Sequence, residues 1–292
     1  RVGEGGKGDS VWLGWFLLKT LRDFSAIARG QGDAKRADAW ESHADRLKQA
    51  LEDDAWDGDW YIRGTYDDGT LLGSKTSEEC RIDSIAQSWS VLSGEGDPER
   101  SLKALESARH HLIDGEIGIL KLFTPPFADT VKEPGYIKAY PPGVRENGGQ
   151  YTHAAIWMVV ALAQAGRAEE AYALFSMLNP VNHALDRQAA ERYRVEPYVV
   201  SADIYSAPDK AGRGGWTWYT GSAGWLYRAA VESILGIRVE DGRLTVAPAI
   251  PRSWNGYDAT FRHGEATYRI KVRHDEGVSA PSIETGGRRV EG

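Results

Sequence analysis

The sequence predicts a mainly α-helical fold with a β module. Residues 1–236 read as part of an (α/α)6 toroid, and residues 237–292 as a small C-terminal antiparallel β module. Three observations predict it. Helices that are apolar all round alternate with charged, one-faced helices, and long loops join them. The hydrophobic period then switches from 3.6 to two near residue 237. A double-layered ring produces the alternation, because inner helices are buried on every side while outer helices keep one wet face. About seven helices are legible, so the ring is partial: six closed hairpins need twelve.

Taken in order, residues 11–28 carry Trp12, Leu13, Trp15, Phe16, Leu17, Leu18, Leu21 and Phe24 on more than one face. Residues 37–51 are amphipathic, with Ala37, Trp40, Ala44, Leu47 and Leu51 at spacings of 3 and 4. Residues 60–72 turn strand-like, and Asp68-Gly69 marks a hairpin. A short buried helix follows over 82–92, for which Asp83 is a natural N-cap. The charged helix over 101–112 ends in His110-His111, where the helix dipole favours positive charge. Residues 118–148 are irregular and rich in Pro and Gly, and long structureless stretches inside compact domains are usually functional. Residues 150–165 are apolar nearly all round, 168–178 are amphipathic, and 226–235 form the last helix. Beyond it, Ile237-Arg238-Val239 and Arg243-Leu244-Thr245-Val246 flank an Asp241-Gly242 turn; later Tyr268, Ile270 and Val272 alternate with Arg269, Lys271 and Arg273.

Composition excludes several classes. A net charge of -7 and the lack of a basic run argue against a nucleic-acid partner. The most apolar run, 154–163, is far short of the roughly 20 residues that span a bilayer. Cys80 is the single cysteine, which excludes an internal disulfide and a cysteine metal site and is compatible with a reducing compartment. Phosphate-loop, zinc-helix and nucleophile-elbow motifs do not occur. The eleven Trp fit either carbohydrate handling or a large helical core. The chain opens with Arg1 and its only methionines are Met158 and Met177, which reads as a processed chain or a fragment.

Three stretches carry chemistry. Residues 212–225 pack three Trp, a Tyr and five Gly into fourteen positions. Glycines let a backbone approach a ligand, aromatic faces stack on sugar rings, and Thr220 stands where a helix N-cap would leave the N–H groups of Gly221 and Ser222 free for an anion. A buried Trp cluster with a Gly-rich turn is the other account. Residues 145–153 bring Arg145, Glu146 and His153 within nine positions around paired glycines. His153 is either an anion ligand or a core histidine, and Glu146 either a ligand or a solvated carboxylate. In the third stretch, 78–89, Gln87 and Trp89 could reach a sugar or sit in the core.

The motifs Arg145-Glu146-Asn147-Gly148-Gly149-Gln150-Tyr151-Thr152-His153, Glu196-Pro197-Tyr198-Val199 and Gly214-Gly215-Trp216-Thr217-Trp218-Tyr219-Thr220-Gly221-Ser222-Ala223-Gly224-Trp225 closely resemble glycoside hydrolase family 94. So do Arg81-Ile82-Asp83-Ser84-Ile85-Ala86-Gln87-Ser88-Trp89 and Ile250-Pro251-Arg252-Ser253-Trp254. The resemblance runs from Arg1 to about Val272, and the wording is most like the C-terminal domain of cyclic β-1,2-glucan synthases. It implies a ring of six α-helical hairpins followed by a β module. The activity implied is inverting phosphorolysis of β-linked glucosides: phosphate attacks the anomeric carbon in line while an Asp protonates the departing oxygen, so one carboxylate suffices. Motif by motif, the resemblance puts His153, Thr220 and Gly221 on phosphate, and Glu146 on the acceptor-sugar side with Gln87 and Tyr151 nearby. It implies β-glucan oligosaccharide and inorganic phosphate as co-substrates and no further cofactor or metal.

Two departures shape the expectation. Family members carry the general acid in an Asp-Trp-Asn-Asp stretch just before the segment matching Arg1-Val2-Gly3, so no catalytic residue is expected in this chain and the acid is expected upstream of Arg1. The segment alone should then be inactive, and half a ring should expose apolar faces. Phosphorylases of the family usually carry a Gln just after Glu-Pro-Tyr-Val, where this chain has Val200-Ser201-Ala202. Trimming of glucan within a synthase, a non-catalytic glucan-binding module, and a hydrolase using Glu146 to activate water therefore stay open. The expected location is cytoplasmic, on the inner membrane's cytoplasmic face as part of a larger synthase.

Overall fold

The computed structural model describes residues 2–240, 242–274, 283–285 and 288–290. They form a mainly α-helical chain with small antiparallel sheets. Helices α1 (Val11–Gly30) and α2 (Ala34–Asp54) pack as a hairpin, and the Asp33 side chain caps α2 by accepting the Arg36 N–H at 3.1 Å. Next come α3 (Ser84–Leu92), α4 (Pro98–Leu112), α5 (Thr152–Gln164) and α6 (Ala168–Leu178). Asp97 caps α4, whose first residue is Pro98, where a missing N–H costs nothing. Then α7 (Arg187–Tyr193) is a short helix with no counterpart in the sequence reading. Last, α8 (Thr220–Arg228) runs on into a π-helical turn, Ala229–Ile234.

The helices pack in two layers. Helices α1, α3, α5 and α8 touch in that order, while α2, α4 and α6 each lie against the preceding member of the first set. One Trp from each inner helix joins a single cluster. Trp12 lies 6.1 Å from Trp89, Trp89 lies 5.3 Å from Trp157, and Trp157 lies 6.0 Å from Trp225 (ring centroids). Much of the tryptophan content is therefore core, and Trp89 is buried in it. Inner burial is incomplete at both ends of this set: α1 buries Trp15 and Leu18 but exposes Leu13, Phe16, Leu17, Phe24 and Ile27, and α8 buries Ser222 but exposes Tyr227.

The connections carry two-residue strands: β1 (Gly64–Thr65), β2 (Leu71–Leu72), β3 (Ile82–Asp83), β4 (Ile113–Asp114), β5 (Ile119–Leu120), β6 (Phe123–Thr124), β7 (Gln150–Tyr151) and β8 (Asp203–Ile204). They pair antiparallel as β1–β2, β3–β6, β4–β5 and β7–β8. Gly69 takes the positive φ that the β1–β2 turn needs. The helix expected over 82–92 therefore starts at Ser84, with Asp83 as its cap (Ala86 N–H to Oδ1, 3.2 Å).

Strands β9 (Ile237–Glu240) and β10 (Arg243–Val246) form the expected hairpin, although Asp241 of its turn lies outside the described residues. The first compact unit runs to residue 249 and takes in this hairpin, because Ile237 is buried and the Ala249 N–H donates to the Ile234 carbonyl at 2.9 Å. The second unit, 250–292, contains β11 (Gly256–His263) paired with β12 (Ala266–Arg273), and β13 (Ile283–Thr285) paired with β14 (Arg288–Val290). The change of hydrophobic period and the change of compact unit thus fall about a dozen residues apart. Among the described residues, no helix is long and apolar enough to cross a membrane.

Asp83 does more than cap. Its Oδ2 pairs with Arg63 Nη1 at 2.8 Å, with the Asp83 side chain fully buried and the guanidinium lying over the Phe123 ring. Asp83→Ala strands a buried guanidinium and should cost roughly 3–5 kcal/mol in urea unfolding, while adding Arg63→Met should recover much of that loss.

Candidate functional site

The loop before α5 divides into residues that hold it and residues that face outward. Asn147 is fully buried: its Oδ1 accepts the Phe127 N–H, and its Nδ2 donates to the Phe127 and Tyr140 carbonyls, all at 2.8 Å. Gln150, also fully buried, accepts the Leu120 N–H at 3.1 Å. A Cβ on Gly148 would press on Pro126, and one on Gly149 on the Arg145 carbonyl. The paired glycines are thus needed for close packing. What remains for function is Arg145, Glu146, Tyr151 and His153.

Arg145 adopts a left-handed φ of 50°, uncommon for a side chain of its size. Its guanidinium lies over Tyr140 at 5.4 Å and Trp216 at 4.8 Å. Its Nε reaches Glu146 Oε2 at 3.4 Å, and its Nη1 lies 3.8 Å from Asp203 Oδ1. Burial pulls this guanidinium down, but Asp203 and Glu146 more than offset that, so its pKa is raised. Burial also pushes the Tyr151 phenol up, with the Glu146 charge adding to it.

Asp203 was not singled out in the sequence, and it organises this face. The available signal was a lone carboxylate in the run Val199-Val200-Ser201-Ala202-Asp203-Ile204, since a buried charge in apolar surroundings is paired. In the β7–β8 register Asp203 stands opposite Tyr151. The segment 213–216 bonds to the other side of β8: Gly215 N–H donates to the Asp203 carbonyl at 2.8 Å, and Trp216 N–H to Asp203 Oδ1 at 3.2 Å. The glycine-rich loop thus joins the Arg145–Glu146 turn through one fully buried residue.

The other half of the glycine-rich stretch is helix. The helix expected to begin at residue 226 begins at Thr220, and the N-cap is Tyr219, with no side-chain cap bond. Thr220 is therefore the first helical residue rather than the cap. The N–H groups of Thr220, Gly221 and Ser222 still belong to the first turn, which has no intrahelical partners. A Cβ on Gly221 would lie 3.8 Å from His153 Nδ1, so the structure brings His153, near the start of α5, against the start of α8. The His153 ring packs edge-on to Trp157 at 4.6 Å and near Trp225 at 5.8 Å, and its Nε2 is buried with no hydrogen-bond partner. Burial pushes its pKa down, so the charge-assisted form expected from sequence is disfavoured when no anion is present.

Glu146 and Tyr151 fall on the same face as Arg145. Gln87 does not join them. It is fully buried, with Oε1 accepting the Tyr61 N–H at 2.9 Å and Nε2 donating to the Tyr61 carbonyl at 2.7 Å, which is a framework role. Among the described residues, no group of three or more His, Cys, Asp or Glu could hold a metal ion. Cys80 is buried in the core, and burial pushes its thiol up to about 12, where it is inert at neutral pH.

This geometry can be set beside known proteins. The catalytic-domain model of the Glycosyl hydrolase 94 superfamily matches residues 2–236. The chain belongs to that superfamily. It is 60% identical over 283 residues to the cyclic beta-(1,2)-glucan synthase NdvB of Rhizobium meliloti (strain 1021), covering 97% of this chain and 10% of that protein. It is 32% identical over 292 residues to the N,N'-diacetylchitobiose phosphorylase of Vibrio furnissii, covering 98% of this chain and 36% of that one. This family 94 chain thus spans well under half of either relative. Among solved structures, a sialidase superposes with a TM-score of 0.62 at 12% identity over 87% of this chain and 22% of its own, a likeness of fold alone. Family 94 membership relates this chain to a glucan synthase and to glycoside phosphorylases.

Burial lowers both His153 and His183 from the usual 6.5. The unfolded chain therefore binds protons first as pH falls. Stability should be level above about pH 7 and decline below about 6.5, by up to about 1.4 kcal/mol per pH unit for each histidine. Thermal melts between pH 8 and 5 should show a shallower decline for His153→Gln, and a shallower one still with His183→Asn added.

Proposed function

We propose that this chain is the C-terminal part of a six-hairpin toroid whose intact parent breaks or remodels β-1,2-glucan by inverting phosphorolysis. The observation that carries the reading is the meeting of His153 with the first turn of α8. The His153 imidazole stands beside a helix start whose first N–H groups, those of Thr220 and Gly221, have no intrahelical partners, and such a start favours an anion. Glu146 and Tyr151 take the acceptor-sugar side. The identity to a cyclic glucan synthase supports the glucan, and the phosphorylase relatives support the phosphate.

In this reading a phosphate oxygen bonds to the anomeric carbon as the glycosidic C–O bond breaks on the opposite face. An Asp upstream of Arg1 protonates the departing glycan, and α-glucose 1-phosphate leaves. This chain supplies no catalytic carboxylate, and its share is to hold phosphate and orient the acceptor. The exposed stripe of Leu13, Phe16, Leu17, Phe24 and Ile27 on α1 supports a ring continuing beyond this chain, because inner helices in a closed ring are covered on all sides. The parent would work on the cytoplasmic face of the inner membrane as part of a larger synthase.

The test is release of glucose 1-phosphate from β-1,2-glucooligosaccharides by the complete protein, with and without phosphate. Phosphate-dependent release is expected, and His153→Ala should raise the KM for phosphate by about 10- to 100-fold, the loss of one hydrogen bond to a charged group. Glucose released without phosphate would point instead to hydrolysis, with Glu146 activating water. No product of either kind would leave a glucan-binding module.

A further inference from the structure

Trp216 is more than half exposed, yet its backbone is among the most tightly held in the loop. Asp203 grips it three ways. Its Oδ1 accepts the Trp216 N–H at 3.2 Å, its carbonyl accepts the Gly215 N–H at 2.8 Å, and its carboxylate fills the space a Cβ on Gly215 would need. On the next residue back, the Ala202 N–H donates to the Trp216 carbonyl at 2.6 Å. The same carboxylate faces Arg145 Nη1 at 3.8 Å, and the Arg145 guanidinium contacts both Glu146 and the Trp216 indole. Asp203 Oδ2 and Arg145 Nη1 are both buried without a hydrogen-bond partner, so the pair is held by charge and enclosure.

We propose that Asp203 is a positioning residue that locks the Trp216 indole beside Glu146, so that ring and carboxylate together present a platform for one glucosyl unit on the acceptor side. The proposal rests on the glucan reading above and adds the residue that fixes the platform. An exposed indole backed by a guanidinium stacks on the apolar face of a sugar ring, while a neighbouring carboxylate accepts its hydroxyls. Neither group is useful unless their relative placement is fixed, and a loop that must begin with glycines cannot fix it alone. Asp203 does so without touching the sugar, because it is fully buried.

The experiment has two arms, both on the complete protein. Hydrogen exchange at the Trp216 amide reads the anchor without substrate: Asp203→Ala should speed it by at least tenfold, and Asp203→Asn, which keeps an acceptor oxygen, should change it little. Unchanged exchange in Asp203→Ala overturns the proposal. The second arm measures KM for β-1,2-glucooligosaccharide and kcat in a mutant cycle. Asp203→Ala and Trp216→Ala should each raise KM several-fold with kcat nearly unchanged, Asp203→Asn should stay close to the unaltered protein, and the Asp203→Ala/Trp216→Ala double variant should be no worse than Trp216→Ala alone. Multiplying KM effects, or a fall in kcat alone, overturn it as well. Failure of the unaltered protein to turn over glucan would sink the glucan reading and the sugar-platform part of the proposal, while the exchange arm still decides the anchor.

Discussion

The loop face depends on side-chain amides and carboxylates standing in for secondary structure. Long connections bury backbone N–H and C=O groups that need partners, and two-residue strands supply few. Asn147 takes both the N–H and the carbonyl of Phe127, and Gln87 takes both from Tyr61, each imitating one rung of an antiparallel ladder. Carboxylates do the same for runs of donors. Glu79 accepts from Ala128, Asp129 and Thr130, and Asp67 from Gly5, Lys7 and Gly8. Without these staples the 118–148 segment would present unsatisfied polar backbone to the core, and the helix starts it positions would be free to drift.

That arrangement separates what was legible in the sequence from what was not. Periodicity speaks where burial follows a helix, so α1, α2, α4, α5 and α6 could be read within a few residues. It is silent for Asn147, Gln150 and Gln87, because an amide that staples a loop and an amide that binds a sugar look alike until their partners are known. The residues before position 226 read two ways, because Thr220 suits a helix N-cap while Gly221 and Gly224 are poor helix formers. Packing of α8 against α5 overrides that preference, and the helix starts at Thr220. Asp203 stayed hidden for a different reason: its importance comes from strand β8 lying between β7 and residues 213–216, and no local pattern encodes that pairing.

In the proposed reading, one set of residues on the site face is both core and ligand-facing. His153 sits near the N-terminal end of an all-apolar helix, and its ring closes the Trp157–Trp225 end of the tryptophan cluster. The two accounts of a histidine there, packing and binding, are therefore not alternatives. The tryptophans enclose one side of the ring, and the enclosure keeps the imidazole uncharged while leaving Nδ1 toward Gly221.

The electrostatics follow from that enclosure. Arg145 is the cation nearest to His153 in sequence, yet it is committed to Asp203, Glu146 and two aromatic rings. An anion arriving at the start of α8 would thus meet helix N–H groups and a neutral imidazole, with Arg145 already committed to other partners. Dipoles and a desolvated histidine bind a dianion more weakly than an arginine fork, but they are not burdened by a charge that must be desolvated while the site is empty. A dianion placed there would raise the histidine's pKa and draw in a proton, so the binding strength would grow as the charge arrives.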